Sequence, residues 1–382
     1  MGNGKKAAFL TEEDEAEIQL GSRDRRKLGK GHEDNFEPVV ALDLSQIQNF
    51  DDLTKAMANT AFGGRTVGEA VDALYQMATD PDCFVVLTLS GAMTVAKMGL
   101  VISDMIDKGL VHAVVSTGAL MTHGFVEAAG MHHYKYRFGQ MNDEELFEKG
   151  YNRVYDTLEP ERNLDAAEII VKKVLDTLDL SQPIGSIHIH NSIGKYLNEH
   201  LEGRGVLKSA YEKGVPVYVP AFTDSELGLD VGIFNRRKKK EGSEDKIQYD
   251  AYIDLEHYTE LVRKQKTLGI FTIGGGVPRN WAQQVGPYLD IIQKRLRAGG
   301  AFVRFKYGVR ICPEPVHWGG LSGCTYSEGV SWGKFMSVKE GGVQVEVLSD
   351  ATIAWPLIIK ATLERLGKNN IEIKKNFSLN HK

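Results

Sequence analysis

The stretch Cys83-Phe84-Val85-Val86-Leu87-Thr88-Leu89, followed by the small residues Ser90-Gly91-Ala92, decides the fold class. Such a dense run of apolar and β-branched residues is typical of a strand that is buried on both faces. An amphipathic pattern over residues 97–108, directly behind the turn, predicts a helix. The unit then repeats, with a predicted strand at residues 111–115 and a turn at Ser116-Thr117-Gly118-Ala119. This recurrence indicates parallel strands joined by helical crossovers.

Similar patterns continue along the chain and extend the alternation of strands and helices. Further strands are predicted at residues 185–190, 215–219, 269–273, 301–307 and 343–347. Helices are predicted at residues 164–178, 255–265, 289–297 and 356–366, and residues 51–77 are predicted to form two helices separated at Gly63-Gly64. The alternation favours an α/β fold, with a doubly wound, mostly parallel, Rossmann-like sheet that is covered on both faces.

The domain organisation follows from charge and length. Residues 1–37 are highly charged and predict a flexible arm with one short helix near residues 12–20. The remaining residues, 38–382, are predicted to form a single large α/β domain.

Composition excludes several classes of protein. The 382 residues are 42% hydrophobic and 25% charged, with a net charge of -5, which fits a globular protein that does not attract nucleic acid. The three cysteines lack ligand spacing, so we predict neither disulfides nor structural zinc and expect a cytoplasmic location. No run of ~18 apolar residues occurs, so no membrane span or signal peptide is predicted.

Two histidine pairs, His132-His133 and His188-x-His190, are the candidates for metal ligands. Histidines at alternate positions share one face of a strand only if residues 185–190 hold that register. Neither pair is accompanied by an HExxH motif or a comparable carboxylate arrangement. We therefore predict no metal site.

Small residues follow three of the predicted strands, at Ser90-Gly91-Ala92, Ser116-Thr117-Gly118 and Gly274-Gly275-Gly276. In doubly wound sheets, ligands bind at the carboxyl ends of the strands, where helix N-termini present their amides. These turns suggest a dinucleotide phosphate site, although glycine turns also occur for conformational reasons alone. No GxGxxG motif is present, which disfavours an ordinary Rossmann dehydrogenase.

The tetrapeptide Ser331-Trp332-Gly333-Lys334 places one lysine among aromatic and acidic neighbours, with Glu328 before it and Asp350-Ala351 after it. A lysine amine is nucleophilic only when neutral, so a covalent role requires an environment that lowers a pKa of ~10.4. An isolated lysine is more often a solvated surface charge. Lys334 is our candidate for a covalent catalyst.

Several segments together resemble the deoxyhypusine synthase family, and most closely its deoxyhypusine synthase-like branch. The resemblance runs from about residue 60 to about residue 356. The segments that carry it are Tyr151-Asn152-Arg153, Pro220-Ala221-Phe222-Thr223-Asp224, Gly274-Gly275-Gly276-Val277, Glu328-Gly329-Val330-Ser331-Trp332-Gly333-Lys334 and Asp350-Ala351-Thr352.

The resemblance implies a chemistry and a set of residues. In that family NAD oxidises spermidine, and the aminobutyl portion is held as an imine on a lysine, here Lys334, before transfer to an acceptor amine. Glu328 and Trp332 match positions that line the polyamine channel. The implied NAD contacts are Gly91, Ala92, Met93, Thr117, Gly118, Asp224, Gly276, Asp350 and Ala351. Asp224 and Asp350 would accept hydrogen bonds from ribose hydroxyls, although either could be a helix cap.

The chain also departs from the family pattern at positions that bind the substrate. Asn280-Trp281 replaces a histidine pair, Leu321 replaces an aspartate, and Thr122-His123 replaces a glutamate pair. A further aspartate aligns with Leu229, unless a one-residue shift allows Asp230 to serve. The candidate substrate-binding residues are therefore Glu328, Trp332, Asp230, Asn280, Trp281 and His123. Lost carboxylates remove anchors for ammonium groups, which changes the amine that binds.

These observations predict an NAD-dependent transferase of the same chemistry that acts on a different pair of polyamines or diamines. Homospermidine formation and the use of agmatine are the examples we consider. A true deoxyhypusine synthase that modifies a translation-factor lysine and a catalytically silent NAD-binding protein remain the alternatives. An NAD-consuming deacylase is disfavoured because its zinc module needs four cysteines. The resemblance also implies a homotetramer with active sites at a dimer interface.

Overall fold

The residues Cys83–Leu89 form strand β1, every residue of which is buried. The computed structural model describes residues 11, 13, 35–297 and 302–377. The strands are β1 (Cys83–Leu89), β2 (Ala113–Ser116), β3 (Tyr134–Lys135), β4 (Tyr151–Val154), β5 (Thr157–Pro160), β6 (Val217–Tyr218), β7 (Thr267–Ile273), β8 (Tyr307–Ile311) and β9 (Val343–Val347).

Within the described residues, the main sheet has six strands in the order β6-β2-β1-β7-β8-β9, and all neighbouring strands are parallel. A separate small sheet has the order β3-β5-β4 and is antiparallel. From β1 the chain proceeds outward to β2, whereas from β7 it proceeds to β8 on the other side. The strand order therefore reverses between β1 and β7, which is where ligands bind in doubly wound sheets.

The helices, in chain order, are α1 (Phe50–Ala58), α2 (Phe62–Thr79), α3 (Gly99–Asp107), α4 (Gly118–Ala128), α5 (Asp143–Glu148), α6 (Glu161–Leu175), α7 (Ser186–His200), α8 (Val206–Lys213), α9 (Glu226–Lys240), α10 (Ala251–Arg263), α11 (Gly276–Gln283), α12 (Val285–Leu296), α13 (Tyr326–Ser331) and α14 (Ala351–Lys368). Within the described ranges, no helix combines the length and apolar character needed to cross a bilayer.

Alternate residues of β1 enter two different cores. Val85 and Leu87 pack in a cluster with Leu74 of α2 and Trp355 of α14, all almost fully buried. Phe84 instead packs in a second cluster with residues of α10 to α13. Because successive side chains of a strand point to opposite faces, these two clusters lie on the two faces of the sheet. The predicted doubly wound, mostly parallel α/β fold is confirmed.

Two predicted strands are wrong. Residues 185–190 begin helix α7, since the Asp254 carboxylate accepts hydrogen bonds from the backbone N–H groups of Ser186 (3.0 Å) and Ile187 (3.1 Å) and so caps the helix. Of the predicted strand at residues 301–307, the described residues 302–307 contribute only Tyr307 to β8. Strand β8 was not predicted at residues 307–311 because Arg310, which is buried, interrupts the apolar run that predicts a strand.

The break between the first two helices is also shifted. It lies at residues 59–61, and Gly63-Gly64 falls within the first turn of α2. The chain divides into two compact units, Met1–Ala41 and Leu42–Lys382. In the first unit, residues 35–41 are exposed and contain no helix or strand. The helix predicted near residues 12–20 lies, apart from Glu13, outside the described residues.

Candidate active site

All nine residues implied as NAD contacts follow strands of the main sheet. They are Gly91, Ala92 and Met93 after β1, Thr117 and Gly118 after β2, Asp224 after β6, Gly276 after β7, and Asp350 and Ala351 after β9. Because these strands are parallel, their carboxyl ends meet along one edge of the sheet. The structure thus brings the predicted cofactor residues to a single edge.

The turns after β1 and β7 are joined by hydrogen bonds at the point where the strand order reverses. The backbone N–H of Ser90 donates to the carbonyl of Ile273 at 3.1 Å, and the N–H of Gly275 donates to Ser90 Oγ at 2.9 Å. Gly274 has a φ of +74°, and a Cβ there would lie 2.2 Å from Ser90 Oγ. Only glycine fits this close approach of two turns.

The turn after β2 offers free polar groups. Thr117 is the N-cap of α4 but makes no side-chain cap, and within the described chain its buried Oγ1 has no hydrogen-bond partner. An uncapped helix N-terminus presents backbone N–H groups and positive potential, which suit a phosphate or another anionic group. Asp350, in contrast, is occupied, since its Oδ1 accepts hydrogen bonds of 2.6 Å from the N–H and Oγ1 of Thr352 and caps α14.

Lys334 lies in a cavity of about 220 Å³ on one face of the sheet. Its Nζ donates a hydrogen bond of 2.9 Å to Asn280 Oδ1 of α11. Burial lowers the pKa of the Lys334 amine below its ordinary value; the nearby Cys324 opposes this shift, and the positive charge of Arg279 adds to it. The environment therefore raises the neutral, nucleophilic fraction of the amine above that of an ordinary lysine.

Local packing fixes the backbone of Lys334. Its carbonyl accepts a hydrogen bond of 2.9 Å from the N–H of Phe305. The next residue, Phe335, is fully buried and packs so closely on Gly329 that a Cβ there would lie 2.7 Å away. The hydrogen bond from Phe305 and the packing of Phe335 therefore fix the backbone from which the Lys334 side chain extends.

The cavity and the glycine turn share a wall. Leu321 and Cys324 line the cavity, and Ser322 between them packs against Gly275, where a Cβ would lie 2.6 Å from Ser322 Cα. Helix α11 begins at this glycine turn and carries Asn280 into the cavity. The candidate catalytic lysine and the candidate cofactor edge are therefore connected through one helix and one short segment.

Comparison with known proteins identifies the family of this chain. Residues 52–362 match the family model described as deoxyhypusine synthase. The probable deoxyhypusine synthase 2 of Methanosarcina acetivorans is 35% identical over 336 residues, which are 86% of this chain and 90% of that protein. The deoxyhypusine synthase-like protein of Chlorobaculum parvum is 32% identical over 327 residues, 84% of this chain and 88% of that protein. The chain belongs to the deoxyhypusine synthase family.

The fold of this transferase family is also seen in a solved structure. The crystal structure of a proposed deoxyhypusine synthase from Entamoeba histolytica aligns with a TM-score of 0.54 and 14% identity. The alignment covers 90% of this chain and 100% of that one. At this identity the likeness supports the fold, and the family assignment rests on the closer sequences.

Of the two predicted substrate residues in the deoxyhypusine synthase motif, Trp332 lies beside Lys334, whereas Glu328 does not line its cavity. The Trp332 ring centroid is 5.9 Å from Lys334 Nζ, within reach of a cation–π contact, and its side chain is 69% exposed. Glu328 is exposed, and its Oε2 accepts hydrogen bonds from the N–H and Oγ1 of Thr325. These bonds lower the pKa of Glu328, so the carboxylate is charged, but it currently caps α13.

Three further predicted substrate residues, like Glu328, do not line the Lys334 cavity. Trp281 follows Asn280 on α11 and packs on Tyr258, with ring centroids 4.9 Å apart, because adjacent helical residues point in different directions. Asp230 lies on α9, where burial, then Glu168 and Glu226, raise its pKa to about 7. His123 lies on α4 and faces Glu159. Their roles in substrate binding stay predictions.

Arg279 is a cavity residue that was not predicted from the sequence or from the resemblance to deoxyhypusine synthases. It is 3% exposed, lines the cavity and lowers the pKa of Lys334. Its guanidinium lies 5.2 Å from the centroid of the Tyr326 ring, so it is held by stacking. Its position immediately before Asn280, in the helix that follows the glycine turn, was the available signal.

Proposed function

We propose that this chain is an NAD-dependent transferase that oxidatively cleaves a polyamine and carries an aminobutyl-type group on Lys334 to an amine acceptor. The observation that carries the proposal is the half-buried Lys334 amine, whose pKa is lowered and whose hydrogen-bond partner is the neutral amide of Asn280. A lysine whose pKa is lowered has a larger neutral fraction than an ordinary lysine, and the neutral amine can exchange for another amine at an imine carbon.

The residues at the carboxyl edge fit a dinucleotide. The orphaned Thr117 Oγ1 and the uncapped start of α4 can donate to phosphate or hydroxyl oxygens, and the glycine turn after β7 allows close backbone approach. Bound NAD would supply a hydride acceptor for the substrate C–N bond. Among the carboxylates, exposed Asp224 is the better partner for a ribose hydroxyl, since Asp350 already caps a helix.

The residues of the chain have distinct tasks in this proposal. Asn280 orients the Lys334 amine through its carbonyl oxygen without adding a negative charge that would favour the ammonium form. Arg279 adds a positive charge that opposes protonation. Trp332 offers an aromatic face to a cationic amine, a contact worth ~0.5–2 kcal/mol.

The substrate is proposed to be a polyamine or diamine pair that differs from spermidine and a protein lysine. Leu321 lines the cavity where the family pattern has an aspartate, which removes one anchor for an ammonium group. True deoxyhypusine synthase activity on a translation-factor lysine is the second candidate. It is favoured by the 35% identity to the probable deoxyhypusine synthase 2 of Methanosarcina acetivorans.

We also propose that the cavity is completed by a second copy of the chain in a homotetramer. Several large apolar side chains near the cavity are exposed, including Trp332 (69%), Trp318 (70%) and Leu321 (47%). Exposed apolar side chains clustered in this way are typical of protein interfaces. A partner over this surface would exclude water from the reacting amine.

The test is to incubate the purified protein with NAD and, in turn, spermidine, putrescine and agmatine, followed by borohydride reduction and peptide mass spectrometry. We expect a mass adduct on Lys334, absent in Lys334→Ala and retained in Lys339→Ala, which removes an exposed lysine of the same segment. Product analysis from mixed amines identifies donor and acceptor. Saturable NAD binding without any adduct or product would overturn the proposal in favour of a silent NAD-binding protein.

A further inference from the structure

A second cluster of reactive side chains lies outside the Lys334 cavity. It combines His123 of α4, His133 just before β3, and Glu159 of β5. One potential ligand atom from each residue lies within 4.8 Å of the others. The side chains are 18%, 0% and 2% exposed, respectively. Three segments that are distant in sequence therefore meet at one nearly buried point.

The polar atoms of this cluster are poorly paired. Glu159 Oε2 lies 2.7 Å from His123 Nδ1, and Glu159 Oε1 lies 3.4 Å from His133 Nε2, so the carboxylate faces both imidazoles. Within the described chain, His123 Nδ1, His133 Nε2 and Glu159 Oε1 are buried, and neither contact has the angles of a regular hydrogen bond. A carboxylate held against two buried imidazoles is an arrangement that a bound cation would complete.

We propose that His123, His133 and Glu159 bind a divalent transition-metal ion of the Zn²⁺ type. One ion at the shared point would accept a lone pair from each of the three buried groups. Two imidazoles and one carboxylate suit Zn²⁺ and its neighbours in the first transition row, whereas Ca²⁺ and Mg²⁺ prefer oxygen ligands. The prediction of no metal site considered spacing along the sequence, which does not reveal a cluster built from separate segments.

Lys97 competes with the ion. Its Nζ lies 3.0 Å from His133 Nδ1, where an ammonium donates to the ring nitrogen and leaves the proton on Nε2. A metal on Nε2 reverses this tautomer, so Lys97 must release the ring. An alternative partner is at hand, because Glu127 Oε1 lies 3.5 Å from Lys97 Nζ. Metal binding therefore requires the Lys97 ammonium to move from His133 Nδ1 to Glu127.

The bound ion would join two parts of the fold. Glu159 belongs to the small antiparallel sheet, whereas His123 belongs to α4, which follows β2 of the main sheet. A metal held by both would stabilise the attachment of the small sheet to the domain. The inference concerns structure: it assigns His123 to the metal instead of the substrate and leaves the proposed role of Lys334 unchanged.

The experiment uses the full chain stripped with a chelator, dialysed and titrated with Zn²⁺ by calorimetry, with metal content measured by mass spectrometry. We expect one ion per chain, and at least ~10-fold weaker binding in Glu159→Gln and His133→Ala. His132→Ala removes the adjacent exposed histidine and should leave the affinity unchanged. Lys97→Met should tighten binding, because it removes the competing donor, and this outcome does not depend on disturbing a ligand.

Circular dichroism and thermal melting verify that each variant is folded. Zn²⁺ should raise the melting temperature of the wild type and of His132→Ala but not of Glu159→Gln. Absence of stoichiometric binding to the folded wild type would overturn the proposal. Equal affinity in the wild type, Glu159→Gln and His133→Ala would also overturn it, because the ion would then bind elsewhere. Adduct formation on Lys334 is scored separately, so failure of either proposal leaves the other distinguishable.

Discussion

Lys334 Nζ donates a 2.9 Å hydrogen bond to Asn280 Oδ1, so the amine is oriented by a neutral amide. A carboxylate at the same distance would favour the ammonium form, because opposite charges raise the pKa of a lysine. The residue at position 280 therefore controls the fraction of Lys334 that is reactive at a given pH.

Asn280→Asp is expected to move the pH midpoint of Lys334 reactivity upward by at least ~1 unit, given an ion pair at this distance in a half-buried site. The measurement is the rate of reductive methylation of Lys334 between pH 6 and pH 11, followed by mass spectrometry. This readout needs neither NAD nor substrate.

Asn280→Leu is the matched control, since it removes the hydrogen bond without adding a charge. We expect its midpoint to stay at or below that of the wild type, because burial and Arg279 still act on the amine. The idea that position 280 tunes the amine fails if the aspartate and leucine variants share one midpoint.

The close contact between Gly275 and Ser322 provides a second prediction. Gly275→Ala would place a Cβ 2.6 Å from Ser322 Cα, a backbone atom that cannot move without displacing residues 321–324. Because that segment separates the glycine turn from the cavity, we expect weaker NAD binding and slower adduct formation together. Fluorescence titration with NAD and borohydride trapping measure the two effects.

Gly232→Ala serves as the control for Gly275→Ala. Gly232 lies inside helix α9, and nothing lies within 4 Å of an added Cβ. This change should stabilise the protein by ~0.5–1 kcal/mol and leave NAD affinity unaltered. Unchanged NAD affinity in a folded Gly275→Ala protein would show that the turn does not contribute to the cofactor site.

The fold was predictable where the sequence pattern is local. β1 and β9 coincide with predicted strands, because β1 is a continuous apolar run and β9 alternates valine with polar residues, and both patterns are typical of strands. The strand predicted at residues 185–190 was wrong because the structure there depends on a residue that is distant in sequence. The helix there depends on the Asp254 carboxylate, which is 68 residues away and caps its N-terminus.

The site was predictable to the same extent. Lys334 and the glycine turn belong to contiguous motifs, and the structure joins them through α11. The cluster of His123, His133 and Glu159 has no sequence signature, because its members come from a helix, a loop and a strand. Trp281 was predicted to bind substrate because it follows Asn280 in the sequence, but in the helix the two side chains point in different directions.

A third prediction concerns the buried ion pair that joins the first and last described helices. Asp51 is fully buried and accepts hydrogen bonds from Arg365 Nε at 2.6 Å and Lys55 Nζ at 2.8 Å. Burial opposes its ionisation, but Lys55 and Arg365 outweigh burial and lower its pKa. Asp51→Asn leaves Arg365 with only the partly exposed carboxylate of Asp72 as a charged partner, so we expect a loss of ~3 kcal/mol in the free energy of unfolding.

Urea unfolding as a function of pH measures this loss. The folded pKa of Asp51 is below its unfolded value of 3.8, so its stabilisation is complete above that value and is lost as the pH falls through the folded pKa. The wild-type and Asp51→Asn curves should converge in strong acid. Asp52→Asn, a partly exposed neighbour paired with Lys368, should change the midpoint much less, and equal losses in both variants would contradict the argument.

A fourth prediction concerns Asp230, whose ionisation destabilises the folded protein, in contrast to that of Asp51. Its pKa is raised from 3.8 to about 7 by burial and then by Glu168 and Glu226, so ionisation opposes folding. The penalty is absent below pH ~4, grows between the unfolded and folded pKa values, and is complete above pH ~7. Asp230→Asn should therefore stabilise the protein above pH 7, by at most ~4 kcal/mol for a shift of this size, and have little effect at pH 4. Urea unfolding of the two proteins at pH 4, 6 and 8 tests this, and a stability difference that does not change with pH would rule out a raised pKa at this residue.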